Sequence, residues 1–186
     1  MRRTLLFLLL TISLGSVAQE QKGVFVGVTK SGLVSPVWFL SLPLEFLTQI
    51  PMGETTRFNQ YGIEAGYQFN SKIRTALDLS LWNSKADREI TTYQLGLSIS
   101  HRLIEQAKVS PKLRYRAGTV LYSNETESLE AYVGIDILAS VVFDKITIDL
   151  GGNLNYISSY PNGFGIGAGY TLSLSYLIPY ISKSKL

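Results

Sequence analysis

From about Asn59 to Ile178 the chain alternates large apolar side chains with small or polar ones, in stretches of ten or more residues separated by short polar turns. Successive side chains of a β-strand point to opposite faces, so a period of two gives each stretch one apolar and one polar face. A chain of this kind is all-β and antiparallel. What remains open is which face of the sheet meets water.

The strands can be read in turn. Residues 59–69 place Tyr61, Ile63, Ala65, Tyr67 and Phe69 on one face and Gln60, Gly62, Glu64, Gly66 and Gln68 on the other. After Asn70-Ser71, the set Ile73, Thr75, Leu77, Leu79 and Leu81 opposes Arg74, Ala76, Asp78, Ser80 and Trp82, which completes a tight hairpin. Tyr93, Leu95, Leu97 and Ile99 follow, then Leu113, Tyr115, Ala117 and Leu121 against Lys112, Arg114, Arg116 and Gly118. Residues 129–143 set Val133, Ile135 and Ile137 against Glu130, Tyr132, Gly134 and Asp136. Ile146, Ile148, Leu150, Leu154 and Tyr156 then oppose Asp149, Asn153 and Asn155, and the last strand sets Leu172, Leu174 and Tyr176 against glycines and serines.

The connections alternate in kind. They are expected to be tight at Asn70-Ser71, near Glu105 and at Asp144-Lys145, and longer and more polar at 84–89, 123–128 and 158–163. Barrels of the outer membrane have short periplasmic turns and longer outer loops, so this alternation orients every strand. Aromatics then gather near both ends, with Tyr61, Tyr93, Tyr156 and Phe164 toward the outer rim and Tyr67, Phe69, Phe143, Tyr176 and Tyr180 toward the inner.

The N-terminal part is less regular. Residues 23–30 read as a short first strand, which makes eight. Trp38, Leu40, Leu42, Leu44 and Phe46 also alternate, giving nine candidate segments, and since such barrels use even numbers the expectation is eight strands, with ten as the alternative. Pro36, Pro43 and Pro51 argue against a spanning helix there. This stretch is either the true first strand, with 23–30 outside the ring, or an apolar excursion within the first outer loop.

Residues 1–18 have the three parts of an export signal: Arg2-Arg3, an apolar stretch from Leu5 to Leu14, and small residues Ser16 and Ala18 that place cleavage before Gln19. Residues 19–186 then form one barrel domain, and removing the two leader arginines takes the formal charge from +3 to +1. No basic footprint for nucleic acid remains. With no cysteine the chain has no disulfide, no thiolate metal site and no lipidated cysteine.

Volume decides which face is outside. An eight-stranded ring is only just wide enough for its inward side chains, so Leu, Ile, Val and Tyr on every strand belong outside and the Gly- and Ser-rich set inside. A soluble surface would also carry more charge than the 17% available. The assignment sends Arg74, Arg102, Lys112, Arg114 and Arg116 inward with Glu64, Asp78, Glu130, Asp136 and Asp149. Unpaired charges in a confined bore cost several kcal/mol, so a paired network acting as a polar plug is expected.

No residue set declares a chemistry, and neither cofactor nor metal is expected. His101, the one histidine, falls on the apolar face at the periplasmic end, away from any serine that would make a triad. The run Gly163, Gly165, Gly167, Gly169 has a strict period of two and marks the small face of a strand, not a phosphate loop. Asp87, Arg88 and Glu89, together with Glu125 and Glu127, read as solvated loop charge, and Asn124-Glu125-Thr126 carries little weight as a glycosylation site.

With its leader, its Gly-punctuated strands such as Tyr61-Gly62-Ile63-Glu64-Ala65-Gly66-Tyr67, and Leu42-Pro43-Leu44-Glu45-Phe46, the chain resembles the small outer-membrane β-barrel family of Gram-negative bacteria, the porin-like and OmpA/OmpX-like proteins. It departs from that pattern by running past Tyr180 to Leu186 instead of ending on an aromatic residue. The resemblance implies a non-enzymatic integral protein of the outer membrane with a structural or adhesive role. Its partners would be outer-membrane lipid, lipopolysaccharide and the barrel-assembly machinery. Passive transport of small solutes is the alternative function, and a lipid-modifying enzyme a third.

Overall fold

In this computed structural model, residues 22–35, 56–84, 91–105, 107–123, 128–157 and 166–180 are described. The eight strands are β1 (Gly23–Ser35), β2 (Thr56–Gln68), β3 (Ile73–Ser84), β4 (Thr91–Arg102), β5 (Val109–Ser123), β6 (Ser128–Phe143), β7 (Ile146–Ile157) and β8 (Ile166–Pro179). Each pairs antiparallel with its sequence neighbour, and β8 returns to β1 to close the ring. Closure pairs the ladder all round and leaves no open sheet edge, the condition a sheet must meet in hydrocarbon.

The first strand differs from expectation. β1 runs to Ser35, well past Lys30, and pairs with both β2 and β8, so the arrangement with this strand outside the ring is excluded. The Trp38–Phe46 segment and the leader 1–18 lie outside the described residues, and the described ring is complete with eight strands.

At the turn end, the Asn70 side-chain oxygen accepts from the backbone N–H groups of Lys72 and Ile73, both at 2.8 Å, which closes the β2–β3 hairpin. Asp144 sits at φ 50°, in the left-handed region that aspartate tolerates, and lets two residues join β6 to β7. The connection near Glu105 is not tight: it spans residues 103–108. Its backbone leaves the sheet gradually, with Leu103 N–H still bonded to the Pro111 carbonyl at 2.9 Å. Glu105 accepts from Lys72 and Ser71 of the neighbouring turn, each at 2.8 Å, which ties two turns together. The Lys72 and Ser71 hydrogen bonds hold its carboxyl below the usual glutamate range.

The faces follow the parity of the sequence. Leu97 and Ile137 are each 66% exposed on the outer wall, while Trp82 on the inner face is 1% exposed. Tyr61, Tyr93 and Tyr156 ring the outer wall toward the loop ends, joined by Tyr170, and Tyr67, Phe69, Phe143, Tyr176 and Tyr180 ring it toward the turns. Phe164 lies outside the described residues.

Candidate functional site

Among the described residues charge is concentrated in the interior, at strand positions two residues apart. Arg114 and Arg116 point inward from β5 and meet Asp136 on β6, its register partner at Arg114. Arg114 Nε donates to Asp136 Oδ2 at 2.6 Å and Arg116 Nη2 to Asp136 Oδ1 at 2.8 Å. The same Arg114 reaches across the bore to Glu64 on β2, Nη1 to Oε2 at 3.2 Å. Arg116 also donates to Asn155 at 2.9 Å. One carboxylate thus holds two guanidiniums, and one guanidinium spans the lumen.

A second pair lies closer to the turns. Lys112 on β5 donates to Asp149 on β7 at 2.7 Å, and Ser173 donates to the same Asp149 oxygen at 3.1 Å. Arg74 is held by neutral oxygens: Gln68 at 2.5 Å, Thr147 at 2.9 Å and Ser175 at 3.2 Å. Its guanidinium also lies 5.1 Å from the centre of the Phe25 ring.

Not every inward charge joins the network. Asp78 is buried and lines the same small cavity as Arg114 and Arg116, but forms no ion pair among the described residues. Arg102 is buried yet donates to the Ala107 backbone carbonyl at 2.7 Å, so it secures the 103–108 connection. Glu130, half-buried near the loop end of β6, has an interaction partner of its own. The inward charges thus meet in a four-residue cluster and a Lys–Asp pair, while Arg74 and Arg102 donate to neutral oxygens.

The bore is also less uniformly polar than its charge pattern implies. At the loop end Phe58, Trp82, Val120, Tyr132 and Ile157 pack together inside the ring, with the Phe58 and Trp82 rings edge to face at 6.0 Å. At the turn end Phe25, Ala76 and Leu177 form a second apolar group. The charged middle is sandwiched between them. Parity places all five inward, with the polar residues two apart on their strands; residue type does not, because elsewhere in this pattern apolar means outside. The cavity among Thr29, Gln60, Asp78, Gln94, Arg114 and Arg116 measures about 10 Å³, room for about one water.

An apolar exterior, a polar and ionic interior and a closed ladder together invert the pattern of a water-soluble barrel. The chain is an eight-stranded transmembrane β-barrel. No family model and no curated protein matches it. Among solved structures it is similar to Neisserial surface protein A, with a TM-score of 0.59 and 17% identity over 83% of this chain and 96% of that one. It is also matched to Ail, the attachment invasion locus protein of Yersinia pestis, with a TM-score of 0.43 and 10% identity over 86% of this chain and 99% of that one, too loose a likeness to carry weight. The barrel thus has the fold of bacterial outer-membrane proteins.

His101 is exposed on the outer wall between Ile73 and Leu113. Among the described residues no group of three or more His, Asp or Glu is placed to hold a metal ion. The loop charges Asp87, Arg88, Glu89, Glu125 and Glu127, and the sequon at Asn124, lie outside the described residues.

Proposed function

We propose that this protein is a closed, non-enzymatic barrel of the bacterial outer membrane whose interior serves stability and whose outer loops carry its surface role, structural or adhesive. Lipid and lipopolysaccharide surround it, and the barrel-assembly machinery inserts it. The reading is supported above all by Arg114, which spans the bore from Asp136 to Glu64 beneath a packed aromatic layer. A solute path through this bore would have to break buried ion pairs, each several kcal/mol to part. With the loops outside, the working surface is the set of segments 36–55, 85–90, 124–127 and 158–165.

Planar-bilayer recording tests the closed state. The wild type is expected to show no steady conductance, and Arg114→Ala with Arg116→Ala to admit brief openings. A stable open level in the wild type would replace this reading with solute transport. Shortening the loops one at a time, with the barrel intact, is expected to remove surface attachment without loss of folding.

A further inference from the structure

Two guanidiniums near the turn end of the bore lie apart from its ion pairs. Lys72 at the foot of β3, Arg102 on β4 and Lys112 on β5 form one row: the Arg102 backbone N–H donates to the Lys72 carbonyl at 2.9 Å, and Arg102 pairs with Lys112 in the β4–β5 register. Arg74, two residues along β3 from Lys72, pairs with Ser100, two residues before Arg102. Arg74, Arg102 and Lys112 are all buried on the inner wall. Like charges directly opposite on neighbouring strands repel, and a buried charge without a counter-charge is costly.

Among the described residues two carboxylates pair with this wall, and each is taken. Glu105 holds Lys72 at 2.8 Å and Asp149 holds Lys112 at 2.7 Å. Arg74 and Arg102 have no carboxylate partner among the described residues, so two positive charges are left over at one end of the bore. Arg74 spends its donors on Gln68, Thr147 and Ser175. Arg102, 5% exposed, donates from Nη2 to the Ala107 carbonyl, and its Nε has no hydrogen-bond partner among the described residues. Further out, Lys108 and Lys145 are half-buried at the feet of β5 and β7, with Asp144 exposed beside Lys145. This end of the bore is therefore cationic and draws anions toward Arg102.

We infer that the turn end of the bore binds one small monovalent inorganic anion, of chloride's kind, at Arg102 Nε, with Arg74 and Lys112 adding their charge. One such ion halves the surplus. The ligand has to be compact, because Phe25, Ala76 and Leu177 fill another side of this end and the Arg74 guanidinium is already held by three neutral oxygens. A halide also gives up its water more readily than a phosphate dianion, since the cost of desolvation rises steeply with charge.

The test follows urea unfolding of the purified barrel in nonionic detergent as chloride replaces gluconate at constant ionic strength, which holds screening fixed. Folding is expected to strengthen with chloride and then level off, by about tenfold in the equilibrium constant once chloride exceeds its dissociation constant tenfold. Arg102→Gln, checked for folding by the mobility difference between unheated and boiled protein, should show no response to chloride. Arg74→Gln should keep the response at weaker affinity. Wild-type crystals grown in bromide give a reading that needs no variant, an anomalous peak within hydrogen-bond reach of Arg102 Nε. Absence of that peak overturns the proposal, as does a chloride response that survives Arg102→Gln. A bromide peak without any effect of chloride on stability marks an adventitious ion only and overturns it too. Phosphate that stabilises as strongly as chloride at equal concentration overturns the assignment to a compact monovalent ion.

Discussion

Arg114 shows what a single side chain does in a bore this narrow. Its guanidinium holds Asp136 on the neighbouring strand and Glu64 on the far wall, all three nearly fully buried. Arg114→Met strands the Glu64 charge and leaves Asp136 with Arg116 alone, at an expected cost of about 3–5 kcal/mol, read as a lower urea midpoint for unfolding in detergent. Replacing Lys112 and Asp149 together by Met and Leu should cost much less than either change alone, since no charge is then left unpaired. Glycines act on the same scale. Gly96 and Gly118 face each other across β4 and β5, and the Tyr132 ring lies over both. A Cβ at Gly118 would meet the Leu95 carbonyl and come 2.5 Å from Gly96 Cα, backbone that cannot step aside. Gly118→Ala is therefore expected to destabilise by about 1–3 kcal/mol in the same assay.

Among the elements, the hairpins at the turn end are joined by more than their ladders. Glu105, on the 103–108 connection, takes hydrogen bonds from Lys72 and Ser71 on the β2–β3 turn. Because its carboxyl is held below the ordinary glutamate range, the contact contributes stability above the pKa of free glutamate and loses it as pH falls through the folded value. Carbon-detected NMR titration should find Glu105 ionising at lower pH than an unpaired glutamate, and Glu105→Gln should remove that part of the acid sensitivity. The effect is small, since the pair is solvent-exposed. Strand identity and facing were legible here because period two survives every substitution that keeps size and polarity. The length of β1 was not, because residues 31–35 break the alternation of bulk with Ser31, Gly32 and Ser35, while 31–34 still pair with both neighbours and Ser35 with β2. The length of the 103–108 connection is likewise not legible, since it depends on where the β4–β5 ladder ends and not on any turn dipeptide.

For the whole molecule, the decisive property is the inversion of inside and outside. Leu97, 66% exposed and near the middle of β4, sits where hydrocarbon is deepest. Leu97→Arg should cost about 2–4 kcal/mol of folding free energy in lipid, measured by urea titration in liposomes, whereas the same change on the outer wall of a water-soluble barrel would cost little. A neutral result would mean that this wall does not face hydrocarbon.

Alternation along the chain was enough to specify the seven strands from Asn59 on, their antiparallel order and the outward set, because each depends only on neighbours in sequence and on the volume a small ring can enclose; the place of residues 23–35 in the ring was decided by pairing with β2 and β8. The inward residues could be named for the same reason: Glu64, Asp78, Lys112, Arg114, Arg116, Glu130, Asp136 and Asp149 all occupy the polar parity. Which of them meet was decided only by closure. The shear of the ring sets Arg114 opposite Glu64, gives Asp149 to Lys112, leaves Asp78 without an ion pair among the described residues and turns Arg102 to a backbone carbonyl. The apolar groups at either end of the bore likewise join side chains from strands that are not all neighbours, such as Trp82 on β3 with Val120 on β5, and distances between such strands exist only once the sheet has curled onto itself.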